Sequence, residues 1–242
     1  MVDHAQPVTP TPPAWATSAQ GPLNIQAIRT ATLHRQPWSH AVITDTFSTG
    51  DALAALVDTY PTAGFTRLSQ DNPDKRFIIE ARNDLRLRDA SDPCPWQALL
   101  AQLTGPAYRQ AMQDMTGLDL GDAVLKIAFY RYGPSCWFGP HRDDEQKLVS
   151  HIIYFNAQWP DDAGGNLLIN RSADMGDVHS RVRPVAGTSV AVVRSDSSWH
   201  SVQPVHPDRD YTRKSVIAHF YKPGSAVDFY DHQPGTHLPA AN

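Results

Sequence analysis

The chain has 242 residues, of which 41% are hydrophobic and 19% charged, and its formal net charge is -4. This length fits one domain with tails and allows a sizeable buried core. No basic stripe typical of nucleic-acid binding is visible, and no apolar run is long enough to cross a bilayer. The N-terminus lacks the pattern of a secretory signal, and two cysteines, Cys94 and Cys136, are too few for a disulfide framework. We therefore expect a cytoplasmic enzyme or binding protein that contacts neither nucleic acid nor membrane.

Composition divides the chain into four predicted segments. They are a disordered Pro-rich arm at 1–22, a helical support region with a few strands at 23–122, a β-rich core at 123–222, and a C-terminal tail at 223–242. In the support region, the cap signal Ser48-Thr49-Gly50-Asp51 predicts a helix start. The segment Trp96–Met115 reads as helical with a break near Gly105-Pro106. The strand candidates there are Ala41–Phe47 and Phe77–Ala81.

After residue 122 the pattern changes to short apolar strands separated by Gly, Pro and Asp. The predicted strands are Val124–Tyr132, Leu148–Asn156, Asn166–Asn170, Arg181–Val185, Ser189–Arg194, Ser201–Val205 and Arg213–Tyr221. Many short strands at regular spacing predict a sandwich or barrel, against which the earlier helices pack from outside.

The sharpest local feature is His141-Arg142-Asp143. In a strand, residues i and i+2 point to the same face, so this imidazole and carboxylate can bind one ion together. His200 follows at a predicted strand edge and can supply a third ligand. Two histidines and one carboxylate leave open positions on an octahedral ion, which is typical of non-haem Fe(II) oxygenases. His-x-Asp is also common by chance, and zinc is the competing metal, although structural zinc sites usually close with four Cys or His ligands.

Thirteen residues after His200, Arg213 opens the last predicted strand. If it points into the barrel, it needs a carboxylate partner, which its planar fork can hold through two hydrogen bonds. Considered alone, a surface ion pair with Asp208 or Asp210 is the simpler interpretation.

Taken in order, these motifs resemble the prolyl-hydroxylase-like branch of the Fe(II)/2-oxoglutarate-dependent dioxygenases. The matching motifs are Tyr132, His141-Arg142-Asp143, Ile152-Ile153-Tyr154-Phe155-Asn156, Gly164-Gly165-Asn166-Leu167, Gly187, His200-Ser201-Val202 and Arg213-Lys214-Ser215. The resemblance covers about residues 124–222. It implies a mainly β fold with supporting helices around a double-stranded β-helix core, that is, a cupin-like jelly roll.

The resemblance also implies the site. Fe(II) would be bound by His141, Asp143 and His200, which are therefore the expected catalytic residues. Arg213 would hold the distal carboxylate of 2-oxoglutarate, Tyr154 would reach the same carboxylate, and Tyr132 would line the pocket. Lys214 is the alternative anchor, but strand alternation places only one of the two neighbours inside.

The implied cofactor and cosubstrates are Fe(II), 2-oxoglutarate and O2, with ascorbate as an optional stimulant. Family members that halogenate lack the carboxylate ligand, so the presence of Asp143 favours hydroxylation, while desaturation and cyclisation stay open. The expected product of the cosubstrate is succinate.

Four residues near the ligands are candidates for substrate binding. They are Trp137, Arg142, Arg171 and Trp199. Arg171 is our candidate for a substrate carboxylate on position alone. The expected substrate is a small molecule, a free amino acid or related metabolite. The alternatives are a prolyl-type hydroxylase of peptides or proteins and a non-catalytic jelly-roll binding protein, and the oligomeric state is left open.

Overall fold

The computed structural model describes residues 21–73, 75–83 and 95–226. Nearly all of the predicted arm at 1–22, most of the predicted tail at 223–242, and Cys94 lie outside these residues. The helices are α1 (Ile25–Arg29), α2 (Gly50–Asp58), α3 (Pro95–Thr104), α4 (Pro106–Thr116) and a short 3-10 turn (Asp161–Ala163). Among the described residues, no helix is long and apolar enough to span a bilayer.

Eleven strands form the rest of the fold within the described residues. They are β1 (His40–Ile43), β2 (Thr66–Asp71), β3 (Arg76–Arg82), β4 (Val124–Tyr132), β5 (Trp137–His141), β6 (Lys147–Tyr154), β7 (Leu167–Asn170), β8 (Val178–Val182), β9 (Ser189–Val193), β10 (His200–Val202) and β11 (Arg213–Tyr221).

The strands form one antiparallel sheet that curls into a nearly closed barrel, as expected for a double-stranded β-helix. Its order is β1-β9-β6-β11-β4-β3-β5-β10-β7-β8, and β2 pairs with β3 at the side. The pairing of β3 with both β4 and β5 joins the larger half, from β1 to β3, to the smaller half, from β5 to β8. The cavity between the two halves contains the site described below.

Both faces of the larger half are buried. Alternate residues of each strand point to opposite sides, so each strand contributes to two cores. On β11, Val216, Ala218 and Phe220 pack against the helices in one core. Ile217 packs into the second core, inside the barrel. The helices therefore cover the outside of the sheet as a support layer, as predicted.

The predicted elements are largely confirmed. β4 and β11 have the predicted bounds, and α2 begins after Thr49, whose side chain accepts a hydrogen bond from the Ala52 amide. The predicted helical segment breaks at Gly105 into α3 and α4. Two strands, β2 and β5, were not predicted, and β8 lies three residues before its predicted position at Arg181–Val185.

A glycine turn brings β7 beside β10. Gly164 and Gly165 both have φ near +60°, the left-handed region that favours glycine. A Cβ atom on Gly164 would collide with the carbonyl oxygen of Pro204, because the two backbones are in close contact. The turn thus allows β7 to pair with β10, the strand that begins with His200.

A buried histidine joins the helical layer to the sheet. His151 on β6 is fully buried, and its two ring nitrogens lie 2.9 Å from the Tyr108 hydroxyl and 2.8 Å from the Ser189 hydroxyl. Burial lowers the pKa of His151 to about 3. In the folded protein the His151 ring is therefore neutral at every pH above about 3.

This burial predicts a pH dependence of stability. The unfolded chain binds a proton at His151 near pH 6.5, whereas the folded chain does so only near pH 3, so stability decreases as the pH falls between these values. The slope from this one group is about 1.4 kcal/mol per pH unit. Urea unfolding of His151→Gln should show a shallower loss of stability between pH 6 and 4 than the parent chain. Parallel curves for the parent and His151→Gln would contradict the prediction.

Candidate active site

Three potential metal ligands converge at the mouth of the barrel. His141 ends β5 and His200 begins β10, and the two residues are direct antiparallel partners. Asp143 lies two residues beyond the end of β5. The ligand atoms of the three side chains lie within 4.8 Å of one another, and all three residues are buried. The site thus contains the predicted residues, although Asp143 reaches it from the segment after the strand.

Hydrogen bonds set both histidines in the form that binds a metal. Nδ1 of His141 lies 2.9 Å from the Gly139 carbonyl oxygen, and Nδ1 of His200 lies 3.0 Å from that of Ser198. A carbonyl oxygen can only accept, so each Nδ1 carries the proton and each Nε2 keeps its lone pair. Burial lowers the pKa of each ring by more than the charge of Asp143 raises it, so both rings are neutral at pH 7.

Asp143 is held by two donors. Lys147 Nζ lies 2.7 Å from Oδ1, and the Ser150 hydroxyl donates to Oδ2 at 2.6 Å. Ser150 Oγ in turn lies 2.8 Å from Nδ1 of buried His219. Burial opposes ionisation of Asp143, but the positive charge of Lys147 keeps its pKa well below the usual range. The carboxylate is therefore ionised and oriented when it meets a cation.

Arg213 lines an inner cavity of about 90 Å³ that also contains the three ligands. It is 1% exposed, and its guanidinium carbon lies 4.7 Å from the Tyr132 ring centroid and 4.9 Å from that of Tyr154. The β-sheet register explains this cluster, since Arg213 faces Tyr132 on β4 and Ser215 faces Tyr154 on β6. The guanidinium donates to the Ser215 hydroxyl at 3.2 Å and to the Tyr154 hydroxyl at 3.4 Å.

The charge of Arg213 has no acidic partner among the described residues, and its Nε is buried there without a hydrogen bond. A buried cation without a counter-ion is costly, so the cavity fits an anionic ligand such as a carboxylate. Lys214 points to the other face of the sheet, where its Nζ lies 5.7 Å from the Tyr60 ring centroid. Of the two neighbours, the structure therefore places Arg213 in the cavity.

The two predicted tyrosines occupy different positions around Arg213. Tyr132 forms part of the inner cavity wall, whereas Tyr154 contacts Arg213 from a position that is not on that wall. Burial raises the pKa of Tyr154, so its phenol stays protonated. Because Arg213 donates to the Tyr154 oxygen, the phenolic proton remains to be donated elsewhere.

An outer cavity of about 850 Å³ adjoins the inner one, and Asp143 and Lys75 line both. Three of the four predicted substrate residues line the outer cavity: Trp137, Arg142 and Trp199. Arg171, the fourth, is not part of either cavity wall. Its guanidinium pairs with Asp177 and donates to the Val178 carbonyl oxygen, so the structure does not bring it to the metal ligands.

Four residues of this site were not predicted from the sequence. They are Lys75, Lys147, Ser150 and His219. Strand alternation from Arg213 points to His219, because residues 213, 215, 217 and 219 share the inner face of β11. Lys75 carries no such signal, since it precedes β3 in a polar turn.

Comparison with known proteins agrees with this geometry. Residues 127–222 match the family model described as the 2OG-Fe(II) oxygenase superfamily. A search of curated proteins returned no significant match. Among solved structures, a prolyl-4-hydroxylase from Pseudomonas putida has a TM-score of 0.54 and 21% identity, with 87% of this chain and 100% of that chain covered.

Two other solved structures show the same architecture. A prolyl hydroxylase from Trichoplax adhaerens, in complex with a peptide fragment of the hypoxia inducible factor oxygen degradation domain, has a TM-score of 0.53 and 14% identity over 82% of this chain and 87% of that chain. The non-haem alpha-ketoglutarate-dependent epimerase SnoN from nogalamycin biosynthesis has a TM-score of 0.50 and 12% identity over 90% of this chain and 89% of that chain. At these identities the likeness is one of fold.

Two buried histidines and one carboxylate at the mouth of a jelly-roll barrel define a non-haem Fe(II) site of the oxygenase type. Residues 127–222, which match the family model, form a 2OG-Fe(II) oxygenase domain, and their ligand set is that of an Fe(II)- and 2-oxoglutarate-dependent enzyme. The donor set fits iron, and the buried charge of Arg213 fits a carboxylate of 2-oxoglutarate.

The metal site predicts a sharp difference between two adjacent aspartates. Asp143→Ala removes an ionised ligand, so iron retained after anaerobic Fe(II) loading and gel filtration should fall from near one per chain to a small fraction, with loss of turnover. Asp144→Ala removes the same group from an exposed neighbour and should retain iron. Full iron content in Asp143→Ala would show that the carboxylate ligand is misassigned.

The inner cavity predicts a second matched pair of variants. Losing a hydrogen bond to a charged group costs about 1.5–3 kcal/mol. Arg213→Ala should therefore raise the KM for 2-oxoglutarate about 10- to 100-fold. Lys214→Ala, on the opposite face of the strand, should change it little. The measurement is succinate formation against 2-oxoglutarate concentration. The reverse ranking of the two variants would move the anchor to Lys214.

Proposed function

We propose that this oxygenase hydroxylates a C–H bond of a small metabolite, a free amino acid or related compound. The observation that supports this most is the outer cavity, which opens onto Asp143 and has the volume of a small-molecule site. Its wall carries charges of both signs and two tryptophans. The lining charged residues are Lys75, Arg76, Arg142, Asp143, Asp144, Glu145, Asp174 and Arg194. Such a wall suits a zwitterion better than an apolar ligand.

In this proposal His141, Asp143 and His200 hold Fe(II), and Arg213 binds the distal carboxylate of 2-oxoglutarate. When bound, iron, 2-oxoglutarate and O2 together supply the oxidation that converts C–H to C–OH and releases succinate and CO2. The remaining oxygen atom of O2 enters succinate, so the atoms balance. Tyr132 and Tyr154 position the guanidinium from either side.

The protein also keeps water from the reacting centre. Apolar side chains of Ile79, Leu167 and Ile217 line the inner cavity together with the metal ligands and Arg213. Phe138 stacks on the His141 ring with centroids 3.8 Å apart. A dry, shaped cavity strengthens the electrostatic interactions that hold the cosubstrate and limits side reactions.

A prolyl residue in a polypeptide is the alternative substrate. Two of the similar structures are prolyl hydroxylases, one of them with a bound peptide fragment. The similar epimerase acts in the biosynthesis of a small molecule, which supports the first proposal instead. The complete ligand set and the family match set aside a non-catalytic jelly-roll protein.

The test is a paired screen with Fe(II), 2-oxoglutarate and ascorbate. Free amino acids and proline-containing peptides are compared for stimulated succinate formation and for a mass gain of one oxygen. We expect stoichiometric oxygen gain in at least one free amino acid. Oxygen gain confined to peptides would overturn the proposal in favour of the prolyl-type alternative.

A further inference from the structure

Lys75 lies at the junction of the two cavities. It precedes β3 and belongs to the walls of both the inner and the outer cavity, a position that it shares with the ligand Asp143. Its side chain is partly buried. A substrate that extends from the outer cavity toward the metal ligands can therefore contact Lys75.

The other cations of the outer cavity are already occupied. Arg76 pairs with Asp71 at 2.7 Å. Arg142 stacks over the Trp199 ring at 4.7 Å and donates to the Asp196 carbonyl oxygen at 3.1 Å. These guanidinium groups have partners within the protein and do not need a ligand.

The same is true of the remaining two. Arg194 pairs with Asp196 at 2.9 Å and lies 3.7 Å from Glu145. In the inner cavity, Lys147 is bound to Asp143 at 2.7 Å. Arg213 is reserved for the cosubstrate. Lys75 is the exception: within the part of the chain that the structure describes, its ammonium group forms neither an ion pair nor a hydrogen bond.

We propose that Lys75 binds the carboxylate of the substrate, and so directs the enzyme toward carboxylate-bearing small molecules. This inference rests on the proposed function, because it assigns an anchor within the same outer cavity. An ammonium group is a compact charge with three donors on a flexible stem, which suits a carboxylate that approaches from solvent. A prolyl residue inside a polypeptide has no free carboxylate to offer.

On this assignment, two different cations bind the two carboxylates of the site. Arg213 lies deep in the barrel, fully buried between two tyrosines, where it can hold the cosubstrate. Lys75 lies where the inner and outer cavities adjoin. Separate cations allow the two anions to bind at the same time.

The experiment compares Lys75→Met with Lys222→Met, the same substitution at an exposed lysine directly after β11. The substrates are an amino acid found in the screen and its carboxamide. Lys75→Met should raise the KM for the acid about 10- to 100-fold, as expected for a lost charged hydrogen bond, and leave the KM for 2-oxoglutarate unchanged. Preference for the acid over the amide should disappear. Lys75→Arg should restore much of it, and Lys222→Met should match the parent.

Calorimetric binding of the amino acid to the Mn(II)- and 2-oxoglutarate-loaded protein provides a readout without turnover, and should weaken to the same extent. Unchanged acid affinity in Lys75→Met, or equal use of acid and amide by the parent chain, would overturn this inference alone. A raised KM for 2-oxoglutarate would assign Lys75 to the cosubstrate instead. Failure of every free amino acid to react would overturn the proposed function and this inference together.

Discussion

Both the packing of the helices and the lining of the active site depend on the alternation of side chains on β11. Each successive residue of this strand points to the opposite face, so one strand serves two environments. Phe220 and its apolar neighbours contact the helices, whereas Arg213 and His219 face the cavity. A shift of register by one residue would place Lys214 in the cavity instead of Arg213 and turn the apolar set away from the helices. Packing of the helical layer therefore fixes which cation faces the iron site.

The charges inside the barrel are arranged so that each has a defined role. The Asp143 carboxylate is balanced by Lys147 and would be balanced further by a metal cation. The charge of Arg213 is left for a carboxylate ligand, because the neighbouring hydroxyls of Ser215 and Tyr154 can orient but not neutralise it. Among the described residues, the charge of Arg213 is thus buried without a compensating anion, which favours binding of an anionic cosubstrate.

Much of the fold could be predicted because β4 and β11 are long, apolar and bounded by turn residues. β5 was missed because Gly139-Pro140 lowers the strand propensity of a five-residue element. β8 was placed too late because the predicted segment included Pro184, which cannot donate to a ladder, whereas the observed strand ends before it. β2 has a polar sequence and pairs only at the side of the sheet, so its hydrophobic pattern carried little signal.

Within the site, the metal and cosubstrate residues could be predicted from the sequence, whereas the substrate-binding residues could not. His141, Asp143, His200 and Arg213 were predictable because their chemistry requires these residue types in this order. Substrate-binding residues obey no such rule, since their position depends on how loops fold over the mouth. Arg171 is near the ligands in sequence terms but pairs with Asp177, while Lys75, about seventy residues before the ligands in the chain, reaches both cavities.

The contrast between Arg171 and Lys75 shows what decides whether a cation can bind a ligand. Both residues lie in polar segments, and they differ in whether their charged groups already have partners among the described residues. A guanidinium that already holds a carboxylate and a carbonyl oxygen gains little from a second anion, since it must first lose those contacts. An ammonium group at a cavity junction without such contacts loses only its hydration when a carboxylate arrives. Availability of the charge, rather than distance along the sequence, is therefore the property that selects Lys75 for the substrate.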